Sequence, residues 1–481
     1  MNEVYILAIG GSGARVLRSL VMLLAAGVEP NAKIIPLIID PDSGAGNLSQ
    51  TIELLKLYTQ IREEAQVDNA DPLVTFSTPI EMLPGAGYQV QLDQIAGTKF
   101  REYIDLGVAM SNSSQALLRS LFSKENLDLE MTIGFKGNPN IGSIVLGQFE
   151  GSDAYKRFFS ELQKGDVTKK SIFIISSIFG GTGASGFPSL LKSLRSSSTM
   201  VSKMRMGALS LLPYFNLEDN ASSAIDSTTF YAKTRAALSY YTENIIKNAD
   251  IDDFYFIGDK SPNSYSNSDG GQTQRNQAHL VELAGALSII HFARLGTERR
   301  TSSSATMYEF GLEDKPKSGD AIGFKALGDA TERELAVPLT SLYLMRRYLE
   351  EADLFTDKDP WLKEIQANPG DGSFIDDINR FLELYEDWLK ELGEHSSHGF
   401  RPFEIDIHID NLFNCVLDYP VQPKGFFKSM MGKSGLALFR DKLNRLAKGN
   451  QPTTYGALLN MLSLASYDLS ETEIKLPTNS Q

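Results

Sequence analysis

The chain has 481 residues, of which 42% are hydrophobic and 22% are charged, as in ordinary soluble globular proteins. This length allows a large core and more than one domain. The formal net charge is −14 at pH 7, and because nucleic acids and anionic membranes repel an acidic surface, we expect no nucleic-acid partner.

The address predicted from the sequence is the cytoplasm. The single cysteine, Cys415, cannot form a disulfide within the chain, which fits a reducing compartment. The opening residues lack the pattern of a signal peptide. The nearby apolar run 21–27 (VMLLAAG) is far shorter than the roughly 20 residues of a bilayer span, so we expect no transmembrane segment.

The first forty residues predict a strand, a glycine turn, a helix and a second strand. Residues 3–10 (EVYILAIG) have the apolar character of a buried strand, and residues 14–27 (ARVLRSLVMLLAAG) carry apolar side chains at helical spacing, with Gly27 as the cap. Residues 32–40 (AKIIPLIID) predict a second buried strand that ends at Asp40. Such units build parallel sheets.

The rest of the chain extends this pattern and then changes character. Residues 48–130 are mostly helical with polar breaks, after which strands and helices alternate to about residue 296. Helical patterns dominate beyond that point, apart from an alternating segment at 403–410 (FEIDIHID) that predicts a half-exposed strand. We therefore predict an α/β fold with a mostly parallel sheet and helices on both faces, plus a helix-rich C-terminal region. The predicted domains are 1–300, with an insertion near 48–130, and 301–481.

Glycine-rich turns follow three of the predicted strands. Ligands bind at the carboxyl ends of parallel strands, where backbone amides at helix N-termini attract phosphate and glycine permits close approach. The turn at 10–13 (GGSG) fits this role, and it also fits a simple tight connection. Asp40 could accept a ribose hydroxyl, or it could start the turn that follows it.

The turn at 179–186 (FGGTGASG) is more specific, because it lies between an apolar strand and a helix and adds the hydroxyls of Thr182 and Ser185. It is not a P-loop, since no lysine follows in the required spacing. Ser185 is not a nucleophile either, because its G-x-S-G sequence lacks the spacing of a nucleophile elbow and no triad order is evident.

The segment FGGTGASGFP resembles the GGGTGTGAAP-type signature of the tubulin/FtsZ superfamily. IGGSGARVL is similar to the first glycine loop of that family, IID to its NTD, GNPNIG to its GANPEVG, PYFNLED to its KPFNFEG, and FYFIGDK to its ITIPNDK. The six segments occur in the family's order within residues 3–296. The chain is thus identified as a divergent prokaryotic tubulin-like protein.

This resemblance implies a tubulin/FtsZ-like domain that binds GTP or GDP with Mg²⁺ and assembles head to tail. Glu218 stands where a family carboxylate binds ribose, and Asn276, predicted to open the central helix, would touch the base. The residues so assigned to the nucleotide are Gly10, Gly11, Ser12, Gly13, Asp40, Gly137, Asn138, Gly142, Gly180, Gly181, Thr182, Gly183, Ala184, Ser185, Glu218, Asp259 and Asn276.

Two departures from the family pattern bear on function. Gly258 stands where the family reads guanine with asparagine, so that Asp259 or Asn276 would have to take over. The family's acidic hydrolysis loop corresponds to ARLGTERRTSSSA, in which Glu298 is the only acid. Glu298 is either the catalytic candidate or a solvated surface charge.

Other interpretations remain open at this stage. A Rossmann-type oxidoreductase would use 10–13 and Asp40, but the final glycine or alanine of its fingerprint is missing. A non-catalytic tubulin-like scaffold is a second alternative, and residues 301–481 could bind a protein partner. His395 and His398 lack further ligands for a metal, and His279 with Glu282 predicts a packing pair.

Overall fold

The structure is a computed structural model of the whole chain. It describes residues 1–42, 45–65, 74–90, 95, 97–107, 110–131, 135, 138–147, 149–217, 229–259, 264–265, 276–299, 304–310, 321–352, 354, 359–363, 373–394, 399–421, 434–449 and 451–478. The strands are β1 (Asn2–Ile9), β2 (Ala32–Ile39), β3 (Gln89–Val90), β4 (Lys170–Ser177), β5 (Arg205–Leu211), β6 (Asn216–Leu217), β7 (Asp253–Ile257), β8 (Ser264–Tyr265) and β9 (Thr306–Glu309).

The helices of the described residues follow the same chain order. They are α1 (Gly10–Ala25), α2 (Gly46–Glu64), α3 (Phe100–Tyr103), α4 (Asn112–Leu121), α5 (Lys124–Leu127), α6 (Pro139–Leu146), α7 (Asp153–Gln163), α8 (Gly181–Ser196), α9 (Phe230–Tyr241), α10 (Leu280–Arg294), α11 (Asp329–Glu351), α12 (Ser373–Gly393), α13 (Gly435–Leu446) and α14 (Tyr455–Leu469). The helix α9 continues into a π-helical turn, Thr242–Ile246.

Seven parallel strands form the main sheet, in the order β3-β2-β1-β4-β5-β7-β9. The apolar runs of β1 and β4 are buried almost throughout, as expected of central parallel strands. The chain adds strands outward from β1 to β3 and then crosses to β4 on the other side of β1. The carboxyl ends of β1 and β4 therefore flank a topological switch point, where open α/β sheets bind ligands.

Helices cover both faces of this sheet, as predicted. Neighbouring side chains of β7 point to opposite faces. Phe254 packs against Phe187 of α8, with ring centroids 5.5 Å apart. Tyr255 is hydrogen-bonded to His291 of α10 at 2.7 Å. The α/β class with a helix-rich C-terminal region is thereby confirmed.

The C-terminal helices pack directly on the first βαβ unit. The buried Trp388 of α12 donates its indole N–H to Ser19 Oγ of α1 at 3.3 Å. Phe381 of α12 packs edge-on against Phe76, with ring centroids 4.9 Å apart. The strand β9 also follows residue 300 and joins the edge of the main sheet.

The strand predicted at 403–410 is wrong. Phe403 makes a single antiparallel bridge to Val416, and a 3₁₀ helix, Ile409–Asn414, begins before the segment ends. The apolar side chains at the two ends of the alternating pattern, Phe403 and Ile409, are nevertheless buried. No second strand of the described residues runs beside them, so the ladder cannot continue.

Candidate nucleotide site

The first glycine turn joins β1 to α1 without an intervening loop. Gly10 has φ +77°, a conformation that glycine adopts readily. A Cβ on Gly13 would lie 2.9 Å from the carbonyl carbon of Ala8, so α1 approaches the backbone of β1 closely. Gly11 and Ser12 are half-buried and form the accessible part of this turn.

The second glycine turn joins β4 to α8. A Cβ on Gly183 would lie 2.7 Å from the backbone nitrogen of Ser177 and 2.8 Å from its oxygen. Gly180, Gly181 and Thr182 are half-buried. The buried Ser185 hydroxyl donates to the carbonyl oxygens of Gly181 at 2.7 Å and Thr182 at 3.1 Å. In this arrangement the hydroxyl of Ser185 is engaged within its own helix.

The structure brings the two turns together and places the GNPNIG segment beside them. A Cβ on Gly10 would lie 3.4 Å from the Cβ of Thr182 and 3.7 Å from the nitrogen of Gly183. Gly142, in α6, lies so close to Ser185 that a Cβ would overlap its hydroxyl. Asn138 is half-buried at the start of α6. Gly137 of this segment lies outside the described residues.

The electrostatics of these helix ends favour an anion. Among the described residues, no side chain caps the N-termini of α1, α6 or α8, and their first turns carry no acid. The first amides of a helix have no partner inside it, and the helix dipole adds partial positive charge there. Two such ends meeting at a switch point make an arrangement that can hold phosphate groups.

A buried polar network lies behind the first turn. Arg15 of α1 donates through Nε to Glu282 Oε1 of α10 at 2.5 Å, and through Nη2 to the Tyr214 hydroxyl at 2.6 Å. Tyr214 also donates to Glu282, at 2.7 Å. All three side chains are buried. Each buried charge therefore has a partner of opposite charge. The network connects α1 and α10 through Tyr214, which follows β5.

Asp40 lies at the end of β2 and is almost fully buried. Its carboxylate accepts the backbone N–H of Asp42 at 3.0 Å. Burial raises the pKa of Asp40 to about 7, and the neighbouring charge of Asp42 adds to the shift. Asp40 therefore carries a proton for much of the range below neutral pH.

The predicted opening of the central helix at Asn276 is wrong, because α10 begins at Leu280 with His279 as its N-cap. His279 Nδ1 accepts the N–H of Val281 at 3.1 Å, and Glu282 Oε2 accepts the N–H of His279 at 3.1 Å. The pair is thus a capping box, a structural role. Asn276 lies four residues earlier, where its N–H binds Asn47 Oδ1 at 3.0 Å.

Gly258, at the position where the family reads guanine, and Asp259 follow the end of β7. A Cβ on Gly258 would lie 2.6 Å from the Cβ of Leu212, so no larger residue fits there without a shift of the backbone. Asp259 follows, half-buried, with Oδ2 4.0 Å from Nε2 of His279. Glu218, predicted at the ribose, lies outside the described residues, as do His395 and His398.

Glu298 lies at the opposite end of the sheet. Its neighbour Thr297 donates to the carbonyl of Thr168, just before β4, at 2.6 Å. On its other side, Arg299 donates to the carbonyl of Ser202, just before β5, at 3.0 Å. Glu298 itself is exposed. It is therefore separated from the glycine turns of its own chain by the length of the strands.

Sequence reasoning missed several residues of this region, namely Arg15, Tyr214, Asn47 and Glu391. A signal was present for Arg15, because a charged residue interrupts an otherwise apolar helix. The described residues contain no group of three or more histidine, cysteine, aspartate or glutamate side chains able to hold a metal ion. The described helices also include none with the length and hydrophobicity of a membrane span.

Comparisons with known proteins give matches in structure alone. No protein-family model matches the chain, and no curated protein matches it. Among solved structures it is similar to CetZ2 from Haloferax volcanii in a GTPγS-bound protofilament, with 13% identity, a TM-score of 0.30, and coverage of 61% of this chain and 58% of that chain.

A second similar structure is CetZ from Methanosaeta thermophila strain DSM 6194, with 13% identity, a TM-score of 0.28, and coverage of 61% of this chain and 52% of that chain. This chain thus spans little more than half the length of either. Scores this low transfer no residue's role.

Proposed function

We propose that this chain binds GTP or GDP between its two glycine turns and assembles head to tail as a tubulin/FtsZ-like protein. The observation that supports this proposal is the meeting of α1 and α8 at the switch point, with Gly10 against Thr182. The helix α1 starts directly after β1, and α8 starts after three residues that follow β4. Neither helix has a side-chain cap among the described residues.

The backbone would provide most of the phosphate binding. In this proposal the amides of residues 10–13 and 180–183 face the phosphates from two sides, and glycine allows the backbone to approach them closely. The nucleotide, bound with Mg²⁺, supplies the phosphoanhydride bond. The chain holds the phosphates in a fixed position and offsets their negative charge, which is the main contribution of proteins to phosphoryl transfer.

The base would lie where α10 begins. Asp259 is half-buried there, and its carboxylate only accepts hydrogen bonds. Guanine presents paired N–H donors, whereas adenine presents a single amino group beside an acceptor nitrogen. A carboxylate at this place therefore favours guanine.

Head-to-tail assembly would give Glu298 a role in the proposed function. Since it lies at the opposite end of the sheet from the glycine turns, it can approach a nucleotide only if a second chain stacks on the first. A head-to-tail contact of this kind extends into a filament when its rotation does not close a ring. Glu298 is our candidate for orienting water on the neighbour's nucleotide, so hydrolysis would require assembly.

The test starts with the nucleotide that the purified protein retains, which is extracted and identified by chromatography and mass. The stripped protein is then titrated with GTP, ATP and NAD, and its sedimentation is followed with a slowly hydrolysed GTP analogue. We expect retained guanine nucleotide, preference for GTP over ATP, and sedimentation with the analogue. Binding of NAD alone would support a Rossmann-type enzyme. Failure to bind any of them would support a scaffold without a ligand.

A further inference from the structure

The four residues before α10, 276–279, are held by their backbone amides and are called here the entry segment. The N–H of Asn276 binds Asn47 Oδ1 of α2 at 3.0 Å. The N–H of Ala278 binds Glu391 Oε2 of α12 at 2.9 Å. The N–H of His279 binds Glu282 Oε2 of α10 at 3.1 Å. Three side chains from three different helices thus hold three of the four backbone amides that precede the first turn of α10.

Glu391 has a second partner on α1. Its carboxylate pairs with the guanidinium of Arg18 through two contacts, Nη1 to Oε2 at 2.6 Å and Nη2 to Oε1 at 3.0 Å. The Arg18 side chain is 9% exposed and that of Glu391 is 25% exposed. Bidentate arginine–carboxylate pairs fix orientation as well as distance. One carboxylate of the C-terminal region therefore joins α1 to the entry segment.

Neighbouring contacts keep Glu391 in place. One turn earlier on α12, Trp388 is fully buried and bonded to Ser19 of α1. Just beyond the helix, Glu394 accepts a hydrogen bond from the side chain of Gln277 in the entry segment. The end of α12 consequently touches α1 and the entry segment on adjacent turns.

We propose that Glu391 is a positioning residue for nucleotide binding, which sets the separation between the glycine turn of α1 and the entry segment. This inference rests on the function proposed above and assigns a role to the C-terminal region. In the proposed binding mode, the phosphates of the nucleotide contact the backbone amides of the glycine turns, and its base lies at the start of α10. If that distance is not fixed, binding must also order the entry segment, and affinity falls.

The substitution Glu391→Gln tests this role, because glutamine keeps the shape and removes the charge. The expected result is about tenfold weaker GTP binding by calorimetry, the effect typical of a lost charge-assisted bond. The matched control is Glu53→Gln. It breaks the exposed pair of Glu53 Oε1 with Arg380 Nη2, at 3.1 Å, which joins α12 to α2 away from the turns. The control should bind within twofold of the native protein.

Hydrogen exchange of the nucleotide-free protein gives a readout independent of binding. Peptides covering 276–283 should exchange at least tenfold faster in Glu391→Gln than in the native protein or in Glu53→Gln. Unchanged exchange together with unchanged affinity would overturn the proposal. If the native protein binds no nucleotide, the proposed function fails, while the exchange rates still decide whether Glu391 fixes this segment.

Should Glu391→Gln fail to fold, Arg18→Lys takes its place, since it keeps the charge and loses the bidentate geometry. The same weakening and the same local exchange are expected from it. Where both single variants fold, combining them should weaken binding by less than the product of the single effects, because both act on one contact. A fully multiplicative loss would contradict action through Arg18.

Discussion

Gly10 of α1 and Thr182 of α8 face each other across the switch point, and a Cβ on Gly10 would lie 3.4 Å from the Cβ of Thr182. The two glycine turns therefore lie against each other, and we propose that the phosphates bind in the space in front of them. Because the positive ends of both helices act on this space, a charge introduced on one turn affects an anion held by both.

The first prediction concerns a negative charge added at the proposed phosphate site. Gly181→Asp places a carboxylate at the first residue of α8, and we expect GTP binding to weaken at least a hundredfold. Calorimetry of the folded variant measures it. Thr199→Asp is the matched control, since Thr199 is exposed and lies between the end of α8 and the start of β5, at the other end of the sheet. Retained affinity in folded Gly181→Asp would count decisively against a phosphate site.

A second prediction concerns close packing under the second turn. Gly183→Ala brings a Cβ within 2.8 Å of two backbone atoms of Ser177, which cannot move aside as a side chain can. We expect a loss of about 2 kcal/mol or more in the free energy of unfolding by urea titration. Gly11→Ala provides the comparison, because its nearest contact would be the Arg15 guanidinium at 4.0 Å. Equal stability of the two variants would contradict this packing.

The third prediction follows from the buried ion pair between Arg15 and Glu282. Glu282→Leu leaves the guanidinium buried without its carboxylate, and we expect it to cost about 3–5 kcal/mol of stability. The double variant Arg15→Met with Glu282→Leu should recover much of that loss, since it removes both charges. Urea unfolding of the native protein, of the single variants Arg15→Met and Glu282→Leu, and of the double variant measures the coupling. A double variant less stable than Glu282→Leu would show that the unpaired charge of Arg15 does not cause the loss of stability in Glu282→Leu.

The extent to which sequence predicts this fold follows the strength of local patterns. The strands β1, β2, β4, β5 and β7 are apolar runs bounded by turns, so each was predictable. The strand β9 has four residues, TMYE, with alternate side chains exposed. Such a short edge strand carries little signal of its own, and its pairing with β7 depends on the whole sheet.

For the candidate site too, local features were predictable from the sequence and long-range contacts were not. Its glycine turns are local and were found together with the helices that they start, whereas the contacts of Arg15 and Arg18 join residues far apart in the chain. The start of α10 was misplaced because Gln277 and Ala278 suit a helix. The pattern His279-x-x-Glu282 is the spacing of a capping box and could have located the N-terminus.

The fourth prediction uses the raised pKa of Asp40. Between its ordinary value of 3.8 and about 7 in the folded chain, the folded state binds more protons than the unfolded state. This residue's contribution to stability is therefore lost as pH rises through that window. Asp40→Asn should remove the loss and raise stability at pH 8 by roughly 2 to 4 kcal/mol, relative to its effect at pH 4.

Urea unfolding between pH 4 and pH 8 measures this difference. Asp153→Asn, at an exposed position, is the control and should leave the pH dependence unchanged. If the free energy of unfolding of Asp40→Asn has the same pH dependence as that of the native protein, Asp40 is ionised in the folded state. Its partners would then offset the cost of burying its charge.

The last prediction concerns Glu298 and tests whether hydrolysis is shared between chains. Glu298→Ala should bind GTP like the native protein, because Glu298 lies at the far end of the sheet from its own glycine turns. We expect its turnover to fall at least tenfold if Glu298 orients water on the neighbour's nucleotide. Release of phosphate, measured at several protein concentrations, gives the rate and its dependence on assembly.

Mixing resolves which chain supplies the residue. Glu298→Ala keeps an intact nucleotide site, and Gly181→Asp keeps Glu298, so neither alone should turn over GTP. Mixed, they form contacts in which the glutamate of one faces the nucleotide of the other, and part of the activity should return. Glu471→Ala, also an exposed glutamate, serves as the control and should retain full turnover. No recovery on mixing, with sedimentation showing joint assembly, would mean that Glu298 does not act across the contact.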